Sequence, residues 1–140
     1  MEHLKYYKIF IDGIDKSGKD TVCDYITFLG KFKYLNKARG VMTMIVYAKK
    51  FNRQFSYDKE NLTDEINVLL DVDKEDWDAR CKINKEAKID YELDTSLFND
   101  AYNELKGKTH LLRFNTSKET AYTIAKKILQ YADTLNKERI

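Results

Sequence analysis

Lys8-Ile9-Phe10-Ile11-Asp12-Gly13-Ile14-Asp15-Lys16-Ser17-Gly18-Lys19 is the stretch that decides the fold of this chain. Its opening is a short apolar run that closes on an acid and a glycine, the pattern of a buried strand. Gly13 to Gly18 reads as a loop. From Lys19 to Leu29 the residues Val22, Tyr25, Ile26 and Leu29 recur at helical spacing, and Gly30 is a natural stop.

Further along, Phe32 to Ala38 alternates imperfectly and reads as a second strand, and Val41 to Phe51 is apolar at helical spacing. Asn52 to Asp64 is polar loop with a short helical turn. Ile66 to Val72 is a β-branched apolar strand, with Asp73 placed to cap the helix after it. Arg80 to Asp94 is charged and weakly periodic. Leu97, Phe98, Ala101, Tyr102 and Leu105 mark an amphipathic helix closed by Gly107. Thr109 to Phe114 is another clear strand. Ser117 is placed to cap a last helix to about Leu135, with Ala121, Ile124, Ala125, Ile128, Leu129 and Ala132 on its buried face. Strands alternating with helices predict an α/β protein: one domain over residues 1–140, three layers α/β/α, with a reduced, mostly parallel sheet of about four strands. Right-handed crossovers put the strand ends that bind ligands on one edge.

The totals agree with one compact domain. The chain has 140 residues, 43% hydrophobic and 13% aromatic, enough for a core. Charges nearly balance at a formal +2, which does not favour a nucleic-acid partner. The fully apolar runs, such as Val68-Leu69-Leu70, are too short to span a membrane, and Met1 to Lys5 does not look like a secretory signal, so the expected setting is cytoplasmic. Cys23 and Cys81 form no CxxC pattern and read as reduced thiols; His3 and His110 are isolated, which argues against a His/Cys metal site. Abundant Lys, Asn, Ile and Tyr fit an AT-rich genome, of a phage or a low-GC bacterium.

Gly13-Ile14-Asp15-Lys16-Ser17-Gly18-Lys19 matches GxxxxGK between a strand and a helix, the setting of a phosphate-binding P-loop. Glycines let the backbone wrap so that successive N–H groups point at phosphate oxygens. The helix presents its positive end to the same anion, and the Lys19 ammonium reaches the terminal phosphates. The pattern usually puts Ser or Thr after the lysine as a magnesium ligand; here Asp20 stands there, with Thr21 next. A carboxylate can hold magnesium directly or through water.

Ile9 to Lys19 resembles the start of thymidylate kinases, whose loop commonly reads GxDxxGK. Ser17-Gly18-Lys19-Asp20-Thr21-Val22, with Asp24-Tyr25, also resembles phage deoxynucleoside monophosphate kinases, which often carry SGKDT. Arg39-Gly40-Val41-Met42-Thr43-Met44-Ile45-Val46-Tyr47 is similar to the family segment that begins Asp-Arg and continues to a serine and a tyrosine, with Thr43 and Tyr47 at those places. Ala38 replaces the aspartate, and Ala48 the polar residue after the tyrosine. Asn67 to Asp73, Arg80, Glu92 and Tyr102 resemble the late strand, the lid arginine, the acidic lid segment and the next helix. Family members are usually longer, and the shortfall falls between the first helix and Arg39.

The resemblance implies a P-loop NTPase fold, and a nucleotide kinase that moves the γ-phosphoryl of ATP, with Mg2+, to a nucleoside monophosphate such as dTMP. It implies that Gly13, Asp15, Lys16, Ser17, Gly18, Lys19, Asp20 and Thr21 hold the donor, that Lys19, Arg39 and Arg80 are catalytic, and that Asp20 and Asp71 serve the metal. It sets the protein in the cytoplasm, the host's if phage-encoded, and allows a homodimer. The alternative function is a degenerate, catalytically weak nucleotide-binding or regulatory protein, for which Ala38 speaks. Asp15 reads equally as a sugar contact or a loop-capping carboxylate. Asp71 reads as a metal ligand or a helix-capping or solvent-facing acid. Arg80, Lys82, Lys85 and Lys88 read as a closing basic run or as solvated surface. Arg53 reads as a phosphate contact or a surface arginine. Tyr47 and Phe51 read as a base-stacking pair or, with more weight, as core, as do Tyr122 and Tyr131. Trp77 receives no assignment.

Overall fold

The computed structural model describes residues 6–58, 61–84 and 90–138. Four strands, β1 (Lys8–Gly13), β2 (Asn36–Ala38), β3 (Glu65–Asp71) and β4 (His110–Asn115), form one parallel sheet in the order β2-β1-β3-β4. The helices are α1 (Lys19–Leu29), α2 (Val41–Lys50), α3 (Lys74–Asn84), α4 (Tyr91–Glu104) and α5 (Ala121–Glu138), with a 3-10 turn at Asn61–Asp64.

The period of two along β3 builds the layers. Ile66, Val68 and Leu70 face α1 and α5, where they join Ile9, Ile11, Val22, Ile26, Ile124 and Ile128. Leu69 faces the other way, into a core made by Met42 and Ile45 of α2, Trp77 of α3, and Phe98 and Leu105 of α4. The protein is therefore three-layered, α/β/α. Ile66 is fully buried, and Ile66→Ala should cost about 2–5 kcal/mol.

Three local expectations need correcting. The second strand is only Asn36–Ala38, because Lys31 and Phe32 take left-handed backbone, φ 52 and 61, that no strand accommodates. The helix expected from Leu97 begins at Tyr91, where Asp90 caps it by accepting the Leu93 N–H at 3.1 Å. Ser117 does not cap α5. Thr120 does, accepting the Thr123 N–H at 3.1 Å, while Ser117 Oγ accepts the Asp73 N–H at 2.8 Å and so serves the entry to α3. The described residues include no helix long and apolar enough to cross a membrane.

Candidate active site

The chain runs from β1 to β2 on one side and then to β3 on the other, so the crevice beyond β1 lies at a topological switch point, where open parallel sheets bind ligands. The Gly13–Lys19 loop occupies it. A Cβ on Gly13 would lie 2.6 Å from Ser17 Oγ and 2.7 Å from the Leu70 carbonyl, so only glycine fits. Lys16 (φ 66) and Gly18 (φ 98) turn the chain back into α1; left-handed backbone at a lysine costs about 1 kcal/mol or more. Gly18 is the N-cap, and no side chain caps α1. The free N–H groups of that first turn open onto the cleft described below.

Lys19 is buried and folds back over the loop, its Nζ donating to the carbonyls of Gly13 at 3.0 Å and Ile14 at 2.9 Å. An ammonium has three N–H donors, so a donor remains. Burial lowers the Lys19 pKa; Asp15, Asp12 and Asp20 pull it back up, and Arg39 adds to the lowering. Ser17 is also buried, and its Oγ has no hydrogen-bond partner among the described residues. From the far side α3 braces the loop. Trp77 Nε1 donates to the Asp15 carbonyl at 3.0 Å, and Arg80 Nη1 to the Lys16 carbonyl at 2.6 Å.

In front of the loop lies a cleft of about 790 Å³, walled by Asp15, Lys16, Gly18, Lys19, Asp20 and Thr21 and, from the end of β2, by Lys37, Ala38 and Arg39. Its cations outnumber its acids, which favours an anionic ligand. A smaller cavity of about 40 Å³ shares Asp15, Lys19 and Arg39 with the cleft and adds Thr43, Tyr47, Lys50 and Asp94. Lys50 and Asp94 form an ion pair there at 3.0 Å, with the Asp94 side chain only 8% exposed.

Arg39 stands in left-handed backbone, φ 71, between β2 and α2. Its N–H donates to the Ile11 carbonyl at 2.8 Å, and the Gly40 N–H donates to Asp12 Oδ1 at 2.7 Å. The same oxygen accepts the Thr43 N–H at 3.2 Å and the Thr43 hydroxyl. Asp12 thus caps α2 from the neighbouring strand, in place of Gly40, which has no side chain to do so. Desolvation pushes the Asp12 pKa up, and the hydrogen bonds from Thr43 and Gly40 and the charge of Lys19 oppose it.

The fold therefore gathers Gly13, Asp15, Lys16, Ser17, Gly18, Lys19, Asp20, Thr21 and Arg39 around one crevice. Arg80 reaches the loop from behind and walls neither cavity. Asp71 is engaged elsewhere: Arg113 holds both its oxygens, at 2.7 and 3.0 Å. Tyr47 and Phe51 are not core; they are 42% and 59% exposed, edge to face at 6.1 Å, with Tyr47 on the cavity wall. Tyr122 is likewise exposed, against Tyr25, whereas Tyr131 is partly buried and shares a hydrogen bond with His110. Arg53 is exposed over the Phe51 ring, and Glu92 pairs with Lys74 on the surface. Lys82 is exposed, and Lys85, Lys88 and His3 lie outside the described residues. Asp12, Lys50 and Asp94 went unread in the sequence. Asp12 closes an apolar run, and that position was the available signal; nothing in the sequence links Lys50 to Asp94.

Among the described residues no three His, Cys, Asp or Glu side chains gather to hold a metal ion. Magnesium suits such a site when phosphates and water supply most of its ligands, and Asp20 on the cleft wall could then add a single carboxylate. Comparison with models of protein families, with curated proteins and with solved structures finds no match to this chain.

Proposed function

We propose that this chain has a P-loop NTPase fold and is a nucleotide kinase, transferring the γ-phosphoryl of ATP to a deoxynucleoside monophosphate of the dTMP kind. The observation that carries the reading is Lys19: a buried ammonium, tied to the carbonyls of its own glycine-bounded loop, beside an uncapped helix N-terminus. Phosphoryl transfer needs positioning and charge neutralisation more than covalent chemistry. The remaining Lys19 donor, the N–H groups of the α1 first turn and the unpartnered Ser17 hydroxyl would hold the donor phosphates. Arg39, beside Lys19 across the cleft, would take the phosphate of the acceptor and the charge of the transferring group. Magnesium, when bound, would neutralise the donor phosphates, with Asp20 as its protein contact, directly or through water. Arg80 would keep the loop in shape through the Lys16 carbonyl. A cytoplasmic setting, rich in ATP, fits this reading.

A second reading, nucleotide binding without efficient turnover, is favoured by Ala38, whose methyl group stands in the cleft wall beside Arg39. One experiment separates the two. The protein is incubated with ATP, magnesium and a panel of monophosphates, and ADP and diphosphate products are followed while melting is measured with and without ATP. Diphosphate formed from a deoxynucleotide supports the kinase. A melting shift with no product supports the second reading, and neither response overturns both.

A further inference from the structure

We propose that Asp12 is a positioning residue for Arg39: by accepting the Gly40 amide and capping α2, it fixes where the Arg39 guanidinium stands, and so governs affinity for the monophosphate acceptor rather than for ATP. This rests on the kinase reading above. Both flanks of Arg39 are pinned to β1. Its own N–H is tied to Ile11 and the next N–H to Asp12, at 2.8 and 2.7 Å. Two consecutive amides bound to two consecutive residues of one strand leave Arg39 the left-handed backbone, φ 71, that side-chain-bearing residues rarely adopt.

The surroundings allow little else. A Cβ on Gly40 would lie 2.6 Å from Phe10 Cβ and 3.1 Å from Asp12 Oδ2, so the turn packs directly on β1. Asp12 Oδ1 also takes the Thr43 N–H and hydroxyl, so one oxygen orients both the Arg39 turn and the start of α2. Asp12 is fully buried and walls neither cavity, so it makes no direct contact with a ligand in them. Lys19 is held by other atoms, the Gly13 and Ile14 carbonyls. No hydrogen bond of Lys19 runs through Asp12, whose influence on the donor side is confined to its charge.

The test is calorimetric titration of the whole chain with Mg-ATP and, separately, with the best-binding standard deoxynucleoside monophosphate. Asp12→Ala should raise the monophosphate Kd about tenfold and leave the ATP Kd within about twofold. Asp12→Asn, whose Oδ1 still accepts, should recover most of that loss. In an Arg39→Ala background, Asp12→Ala should add nothing further. If Asp12→Ala does not fold, Thr43→Val, which removes one donor to Oδ1, carries the same cycle, and its smaller loss should vanish with Arg39→Ala. Losses that add, no loss of monophosphate affinity, or equal losses for both ligands overturn the proposal and leave the kinase reading standing. A wild-type protein that binds ATP but no monophosphate overturns it as well, and one that binds neither overturns the kinase reading with it.

Discussion

Arg113 grips Asp71 through both carboxylate oxygens, Nε to Oδ2 at 2.7 Å and Nη2 to Oδ1 at 3.0 Å, and its Nη1 donates to Asn99 Oδ1 of α4 at 2.8 Å. One guanidinium thus ties β4 to β3 and to α4. The pairing raises the Arg113 pKa, through its hydrogen bonds to Asp71 first. The acid at the end of β3 is engaged in a structural tie, whereas Asp20 stands on the cleft wall.

Asp20→Asn should weaken the magnesium dependence of ATP binding, whereas Asp71→Asn should leave that dependence unchanged and lower stability instead. The Arg113–Asp71 pair is about a third exposed, so its loss should cost about 0.2–1 kcal/mol, less at high salt. ATP titrations with magnesium and with chelator, beside thermal melts, read both effects. A loss of metal dependence in Asp71→Asn would contradict the assignment.

Lys19→Ala should weaken ATP about tenfold to a hundredfold, the usual worth of a hydrogen-bonded charge. The check is the melting shift that ATP produces, which should largely vanish while the far-UV spectrum stays that of the wild type. An undiminished shift would place the nucleotide elsewhere.

Ala38→Asp should raise turnover with a deoxynucleoside monophosphate by about tenfold or more, with ATP affinity nearly unchanged. The new carboxylate would stand at the end of β2, beside Arg39 and Lys37 in the cleft wall. Steady-state rates at saturating ATP measure it. Equal or lower activity in a folded variant would mean that no acid is needed at this place.

Cys23 should resist alkylation. Burial first, and then the charges of Asp20 and Asp24, push its thiol up to about 12. Raised pKa means the reactive thiolate is scarce below that pH, about one part in ten thousand at pH 8. Iodoacetamide at pH 8 should leave Cys23 unmodified in the native protein and modify it readily in denaturant, as peptide mapping would show. Native labelling at the rate of a free thiol would rule this out.

Much of the fold was legible because β1 and β3 are short apolar runs and α1 and α5 repeat apolar residues at helical spacing. The misreadings share a cause: they depended on partners distant in sequence. Ser117 looked like a cap for α5, yet its hydroxyl meets the Asp73 N–H across the sheet edge. The tie between Asp71 and Arg113, a strand away, was equally invisible in the local sequence. The weak periodicity before Leu97 hid the start of α4, because that turn is held by its Asp90 cap and by Tyr91, whose hydroxyl donates to the Val72 carbonyl at 2.6 Å. At the site, the GxxxxGK spacing was readable as a contiguous motif. The Asp12 contact with Gly40 and Thr43 spans all of α1 and β2, and no local pattern announces it.

Trp77 is the sole tryptophan of the chain. Its indole N–H is bonded to the Asp15 carbonyl, and its ring lies 5.4 Å from that of Tyr91. The protein therefore carries its own optical probe, wired to the loop at one end and shielded from water along most of its face. Any ligand that redraws the Asp15 backbone alters the polarity and hydrogen bonding around that indole. Intrinsic emission can thus follow the loop in real time, without a dye, a label or a coupled assay.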